Sequence, residues 1–394
     1  MTRAQRLLRV PPYPFREIAS LKKQAIADGV KLIDFGIGDP DQPTPSFVIE
    51  ALAEAARDPA THQYDETGHG IAEFREAVAA FMQQRFGVTV DVDSEVQSCL
   101  GCKEALVHIE WAYVDPSDIV LVPDPAYSVY KVQSTFCGGT AYPMPLKPEN
   151  GFLPDLEAVP PSVAKAAKLL WLNYPNNPTG AVAEVEFLAR AVEFARKRDL
   201  VVCQDAAYSE VAFDGYQPHS ILEVEGAGDV AIEFHSFSKT FNMTGWRVGG
   251  AVGGAEHIEA LSKVKANVDS GTFMALQRAG AAALRNYPGW IGTLRAQYQE
   301  RRDRLVAGLN ALGWKLDKPR ATFYLWVPVP SGYTSESFAK ALLVDCGILV
   351  IPGAVYGDYG EGYVRMSLTI QGPDALAAID EALARLKAAP KLLP

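Results

Sequence analysis

The stretch Ser236-Phe237-Ser238-Lys239-Thr240-Phe241-Asn242-Met243-Thr244-Gly245-Trp246-Arg247 decides how the chain is read. An apolar run, Val230-Ala231-Ile232-Glu233-Phe234, leads into it as a buried strand would, and polarity then switches abruptly to two hydroxyls flanking one lysine. A lone loop lysine is ordinarily a solvated surface group. Here Ser236, Ser238 and Arg247 put hydroxyl and guanidinium donors on either side of Lys239, the donors that a phosphate dianion needs beside an amine-reactive centre. Lysine amines also form Schiff bases with carbonyl cofactors. A ligand that joins an aldehyde to a phosphate is implied, and pyridoxal 5′-phosphate is that molecule.

Working outward, short apolar runs end in polar side chains. Ile119-Val120-Leu121-Val122 is followed by Tyr127, a flat ring just past a strand end that either fills a loop or stacks on another ring. Leu169-Leu170-Trp171-Leu172 leads into Asn173-Tyr174-Pro175-Asn176-Asn177-Pro178-Thr179-Gly180, which reads as a turn. Leu200-Val201-Val202-Cys203-Gln204 ends in Asp205, which suits a helix cap or a partner for a protonated ring nitrogen. Gly101-Cys102-Lys103 is a glycine turn opening a helix, a weak anion site alone and half of a phosphate cradle beside Ser236, Ser238 and Arg247. Strands alternating with helices predict an α/β fold with a mostly parallel sheet over residues 46–286, with ligand groups at the strand carboxyl ends.

The flanks predict a second, smaller α/β domain. A long charged helix from about Trp290, with Leu294, Tyr298, Arg301, Leu305 and Leu309 on one side, runs to Gly313 and links into it. Strands are expected near 322–327 and 364–369, and Arg365 stands between apolar residues of the second. A buried guanidinium needs a partner, and a carboxylate is the natural one. Residues 15–28 read as a short amphipathic helix closed by Gly29, and Leu32 to Pro45 is too rich in Gly and Pro for regular structure.

Composition narrows the classes. The 394 residues are 48% hydrophobic, enough for two domains, and the net charge of −10 leaves no basic excess for nucleic acid or an anionic membrane. Five cysteines without a framework spacing predict free thiols and a reducing compartment, the cytoplasm by default. Cys99 and Cys102 have no second pair to make a metal site, so no metal is expected. No window reaches the length of a membrane span, and Arg3, Arg6 and Arg9 precede no apolar core of a secretory signal.

Ser236 to Gly249, Asn173 to Gly180 and Asp205-Ala206-Ala207-Tyr208 resemble the signature segments of class I/II pyridoxal-phosphate aminotransferases of fold type I, with similarity from about Asp34 to Thr369. Within that family the chain is most similar to LL-diaminopimelate aminotransferases, then to aspartate aminotransferases. The resemblance implies that Lys239 binds the cofactor and serves as the catalytic base. It implies that Asp205 pairs with the ring nitrogen, that Tyr127 stacks on the ring, and that Asn177 and Tyr208 reach its 3′-oxygen. Cys102, Lys103, Ser236, Ser238 and Arg247 would hold the phosphate, Cys102 standing where serine is usual. Gly38, Asn177 and Arg365 would bind the substrate carboxylate, and the N-terminal arm, residues 1–45, would join 287–394 in the small domain. Tyr64 would reach the cofactor phosphate of the other subunit of a homodimer. The expected partners are an amino acid and a 2-oxo acid such as 2-oxoglutarate. C–S lyases and decarboxylases share the same lysine and aspartate, while a DNA-binding regulator would need more chain than residues 1–33 provide.

For the donor, Asn267-Val268-Asp269-Ser270-Gly271 and Phe213-Asp214-Gly215-Tyr216 resemble segments of the LL-diaminopimelate enzymes. No arginine lies between Ala266 and Gln277, which lowers the aspartate option. Asp269 is therefore the expected partner of a distal ammonium.

Overall fold

In the computed structural model, which describes residues 3–12, 14–65, 67–372 and 374–394, the apolar runs become strands. In chain order these are β1 (Ile33–Asp34), β2 (Val96–Cys99), β3 (Ile119–Asp124), β4 (Thr140–Pro145), β5 (Ala167–Leu172) and β6 (Val201–Asp205). They continue with β7 (Ala231–Ser236), β8 (Gly249–Gly253), β9 (Tyr324–Pro328), β10 (Ile348–Leu349), β11 (Ile351–Pro352) and β12 (Tyr363–Ser367).

Among the described residues, seven strands form the main sheet in the order β2-β8-β7-β6-β5-β3-β4. β7, β6, β5, β3 and β4 run parallel, and β8 is antiparallel to both neighbours. The predicted mostly parallel sheet is therefore present. Its physical cause is the run of Val, Ile and Leu without polar alternation, since a parallel sheet is covered by helices on both faces. Val120, Leu169, Leu170, Val202, Ile232 and Phe234 are wholly buried. One covering helix, Ala72–Phe86, turns Phe74, Val78, Phe81 and Met82 inward and ends at Gly87 in the left-handed conformation.

A second sheet pairs β9 antiparallel with β12, and β12 with β11. β1, from the N-terminal segment, pairs parallel with β10. The helix predicted over 15–28 spans Pro14–Ala27, although the side chains of residues 14–17, Phe15 included, lie outside the described ones. The linking helix is Tyr287–Ala311 and starts earlier than Trp290; Leu294, Tyr298, Leu305 and Leu309 form its buried stripe. From it Arg301 grips Asp41 through two hydrogen bonds of 2.7 and 2.8 Å and donates to Leu368 O. That contact ties the Gly/Pro-rich segment to the helix.

Residues 34–38 run on from β1 with their contacts alternating from side to side. Phe35 O accepts from Ser367 N, and Ile37 O accepts from the Thr369 hydroxyl. The intervening Gly36 and Gly38 turn their carbonyls the other way, as successive residues of an extended chain must.

Candidate active site

The strand ends converge on one cavity of about 680 Å³. β7 ends at Ser236 and passes into a single helical turn, Phe237–Thr240, that carries Ser238 and Lys239. Lys239 Nζ donates to Gly38 O at 2.7 Å. Burial, reinforced by the positive Arg365 and Arg247, brings the Lys239 amine down to about 8, against the opposing pull of Asp39 and Asp205. A fraction of the amine is thus neutral and nucleophilic near neutral pH. Gly38 has to be glycine, because a Cβ there would lie 1.9 Å from the Tyr324 hydroxyl.

Asp205, at the end of β6, is buried. Its Oδ2 accepts from the Tyr130 hydroxyl at 2.7 Å, and its Oδ1 accepts from Ala207 N at 3.2 Å and from Cys102 Sγ at 3.6 Å. Burial raises the carboxyl above its usual range, and the Tyr130, Ala207 and Cys102 hydrogen bonds counteract this only in part. A protonated ring nitrogen would supply the positive charge that this carboxylate lacks, so the pyridine end of pyridoxal phosphate fits here.

The opposite end of the cavity suits the phosphate. The helix Cys102–Tyr113 points its N-terminus inward after Gly101, whose φ is 73°. A Cβ on Gly101 would stand 2.5 Å from Arg247 Nη2, so only glycine lets the guanidinium lie against this turn. Arg247 itself adopts a left-handed φ of 59°, unusual for a side-chain-bearing residue and fixed in part by its Nη1 bond to Thr244 O. Ser236, Ser238 and Lys103 line the same cavity, with the Lys103 ammonium 5.8 Å from the centre of the Tyr127 ring. The Cys102 thiol is directed to Asp205, so from this residue the backbone amide is what remains for an anion.

Arg365, from β12, is wholly buried. Nη1 donates to Asn177 Oδ1 at 2.9 Å and Nη2 to Gly36 O at 2.7 Å, and the guanidinium lies 4.1 Å over the Tyr324 ring. With its oxygen so occupied, Asn177 has its amide N–H groups left to donate. Tyr208 brings its hydroxyl within 3.1 Å of that of Tyr324. Lys239 and Arg365 thus present an amine and a guanidinium to one space, the arrangement needed to hold an amino acid by its carboxylate with its Cα near a base.

Every residue expected at the site lines this cavity except Tyr64, which is 82% exposed. Asp269 also lies outside the cavity. Its Oδ1 accepts from Lys265 Nζ at 2.8 Å and from Gly271 N at 2.9 Å, so it is already committed to an ion pair and a turn. Asp269, Glu104 and His108 bring three metal-capable atoms together, but the Lys265 ammonium occupies that cluster.

Sequence reading missed the support behind Asp205. Tyr130 is wholly buried and stacks on Trp171 with centroids 4.7 Å apart. Trp171 Nε1 donates to Glu110 Oε1 at 3.0 Å, and the Ser134 hydroxyl lies 2.9 Å from both Glu110 Oε2 and Tyr130 O. A serine hydroxyl has one proton, which an ionised Glu110 and Tyr130 O would have to share, whereas a protonated Glu110 can donate to Ser134 and leave that proton to Tyr130 O. Burial pushes the Glu110 carboxyl up to about 8, in keeping with the protonated form. In sequence these residues look like core, and Tyr130, Trp171 and Glu110 share no local spacing.

Comparison with known proteins agrees with the geometry. The family described as aminotransferase class I and II matches residues 30–385. The LL-diaminopimelate aminotransferase of Moorella thermoacetica is 51% identical over 387 residues, 98% of each chain, and that of Gloeobacter violaceus is 52% identical over 391 residues, 99% of this chain and 98% of the relative. Substrate-bound BacF from Bacillus subtilis superposes with a TM-score of 0.93 at 38% identity, covering 100% of this chain and 99% of the other. A lysine, an aspartate and an arginine gathered around one cavity, in a chain matched from end to end, have one explanation: it belongs to the pyridoxal-phosphate-dependent class I and II aminotransferases.

Proposed function

We propose that the amino-group donor is LL-diaminopimelate and the acceptor a 2-oxo acid such as 2-oxoglutarate, which would place the reaction in lysine biosynthesis. The observation that carries this reading is identity of about half over nearly the whole length of relatives bearing that activity in their names. Pyridoxal phosphate, when bound, supplies an aldehyde that takes up the amine and a ring that accepts electrons as the Cα–H bond breaks.

The chain's own residues do the rest. Arg365, steadied by Asn177 and Gly36, binds the substrate α-carboxylate and so fixes Cα beside Lys239. The Lys239 amine, brought down to about 8, takes the proton from Cα and returns it. Asp205, held by Tyr130, keeps a negative charge at the ring-nitrogen end. Gly101, Cys102, Lys103, Ser236, Ser238 and Arg247 anchor the phosphate, while Tyr127 and Tyr208 fix the ring.

The reading extends to the assembly. Residues 46–286 form the cofactor-binding domain and 1–45 with 287–394 the smaller one, in line with their separate sheets. The working unit is a homodimer in the cytoplasm, with Tyr64 of each subunit serving the phosphate of the other. Its exposure, on the same chain as a cavity that it does not line, supports this.

The test is a titration of purified holoenzyme with LL-diaminopimelate, aspartate, glutamate, alanine and an aromatic amino acid, followed by the cofactor's absorption. The expected result is a band change at the lowest concentration with LL-diaminopimelate, reversed by 2-oxoglutarate. A stronger response to aspartate would overturn the donor, and release of ammonia without reversal would move the reaction to a lyase.

A further inference from the structure

Tyr324 lines the cavity and has no task in the chemistry derived above. It opens β9 and is almost wholly buried. The Arg365 guanidinium lies 4.1 Å over its ring, and Phe323 and Tyr208 meet that ring at steep angles, with centroids 4.9 and 5.5 Å away. Its hydroxyl lies against Gly38, whose carbonyl receives the Lys239 amine, so closely that no Cβ fits between them. A ring held on these sides has its hydroxyl fixed in place, and the group that hydroxyl faces is the Tyr208 hydroxyl, 3.1 Å away.

The protons of this pair set a direction. Each hydroxyl donates one proton and accepts through its lone pairs. Burial, with Tyr324 alongside, holds the Tyr208 phenol far above its usual range, so Tyr208 keeps its proton at every working pH. Once Tyr208 gives that proton to the 3′-oxygen of the cofactor, the contact between the two tyrosines is completed by Tyr324 donating to the Tyr208 oxygen. Donation into a hydroxyl oxygen polarises its O–H bond and strengthens the hydrogen bond which that group makes in turn.

We propose that Tyr324 is a positioning residue for the cofactor. By donating to Tyr208 it aims and strengthens the hydrogen bond from Tyr208 to the 3′-oxygen, and so lowers the pH at which the bound cofactor gives up its proton. The inference rests on the reading that Tyr208 reaches that oxygen, and it adds a residue that touches Tyr208 and Arg365 from one ring.

The test is a spectrophotometric pH titration of the holoenzyme without substrate, which follows the proton that the Lys239 nitrogen shares with the 3′-oxygen. A donor at that oxygen favours its fully anionic form, so removing the donor raises the midpoint. Tyr208→Phe should raise it by about one unit, the loss of a hydrogen bond to a charged oxygen. Tyr324→Phe keeps the ring under Arg365 and should raise it by about 0.3 unit, the share that polarisation adds to one such bond. The double variant should match Tyr208→Phe alone, because Tyr324 acts through the hydroxyl that is already gone. An unshifted midpoint in Tyr324→Phe, beside a shifted one in Tyr208→Phe, would overturn the proposal and leave the Tyr208 reading standing. An equal effect of Tyr324→Phe with and without the Tyr208 hydroxyl would also overturn it, by showing that Tyr324 acts through packing. No shift in Tyr208→Phe would overturn both.

Discussion

Glu110 is a carboxylic acid enclosed behind the cofactor-binding wall, where burial disfavours its charge by more than the hydrogen bonds from Ser134 and Trp171 offset. Its ordinary value of 4.5 rises to about 8 in the folded chain. Between those values the native state keeps a proton that the unfolded state loses. The group's contribution is therefore complete below 4.5, declines as pH rises, and is gone above about 8. Glutamine can donate to Ser134 and accept from Trp171 without that loss. Glu110→Gln should consequently gain stability over wild type as pH rises from 5 to 8, by on the order of a few kcal/mol in denaturant unfolding. A constant difference across that range would mean that Glu110 is ionised in the fold. Lys239, Asp205 and Arg365 were legible because each interrupts an apolar run with a charge. Tyr130 was not, because an aromatic on an apolar helix face carries the same signal whether it packs or also donates to a carboxylate.

At the level of elements, Arg301 and Asp41 clasp a segment with little regular structure to the helix Tyr287–Ala311. Both side chains are nearly excluded from water. Removing one partner leaves the other charged and buried, so Asp41→Ala should cost about 3–5 kcal/mol in equilibrium unfolding. The double change Asp41→Leu with Arg301→Met removes both charges and should cost less than either single change. If the double variant lost the sum of the two, the ion pair would not be the source of the effect. Apolar runs disclosed β3, β5, β6 and β7. β8 escaped, since Gly249-Gly250-Ala251-Val252-Gly253 has almost no strand propensity and exists through pairing with both β2 and β7. Gly249 is needed there because a Cβ would meet Cys102 N at 2.7 Å, at the start of the helix that faces the phosphate end.

For the whole molecule, the question is whether one chain makes a complete site. Tyr64 is strongly exposed, and Trp111, Val268 and Phe273 add apolar surface that solvent meets in a single chain. If Tyr64 serves a second copy, mixing Tyr64→Phe with Lys239→Ala subunits forms heterodimers with one site carrying both defects and one carrying neither. Activity of the mixture should then exceed that of the two variants assayed apart. Strict additivity would argue that each subunit works alone. Sequence resemblance supplied this expectation; residue patterns cannot, since an exposed tyrosine in a loop looks the same in either case. The alternating contacts of residues 34–38 bear on how such a chain can change over time. The segment acts as a ruler whose marks are single residues, so one insertion or deletion within it would swap the carbonyls that face Arg365 and Lys239 with those that face β12. Length variation is more tolerable before β1, whose pairing with β10 fixes the register from Ile33 on, and ruinous within residues 34–38, where it sets the distance between substrate anchor and base.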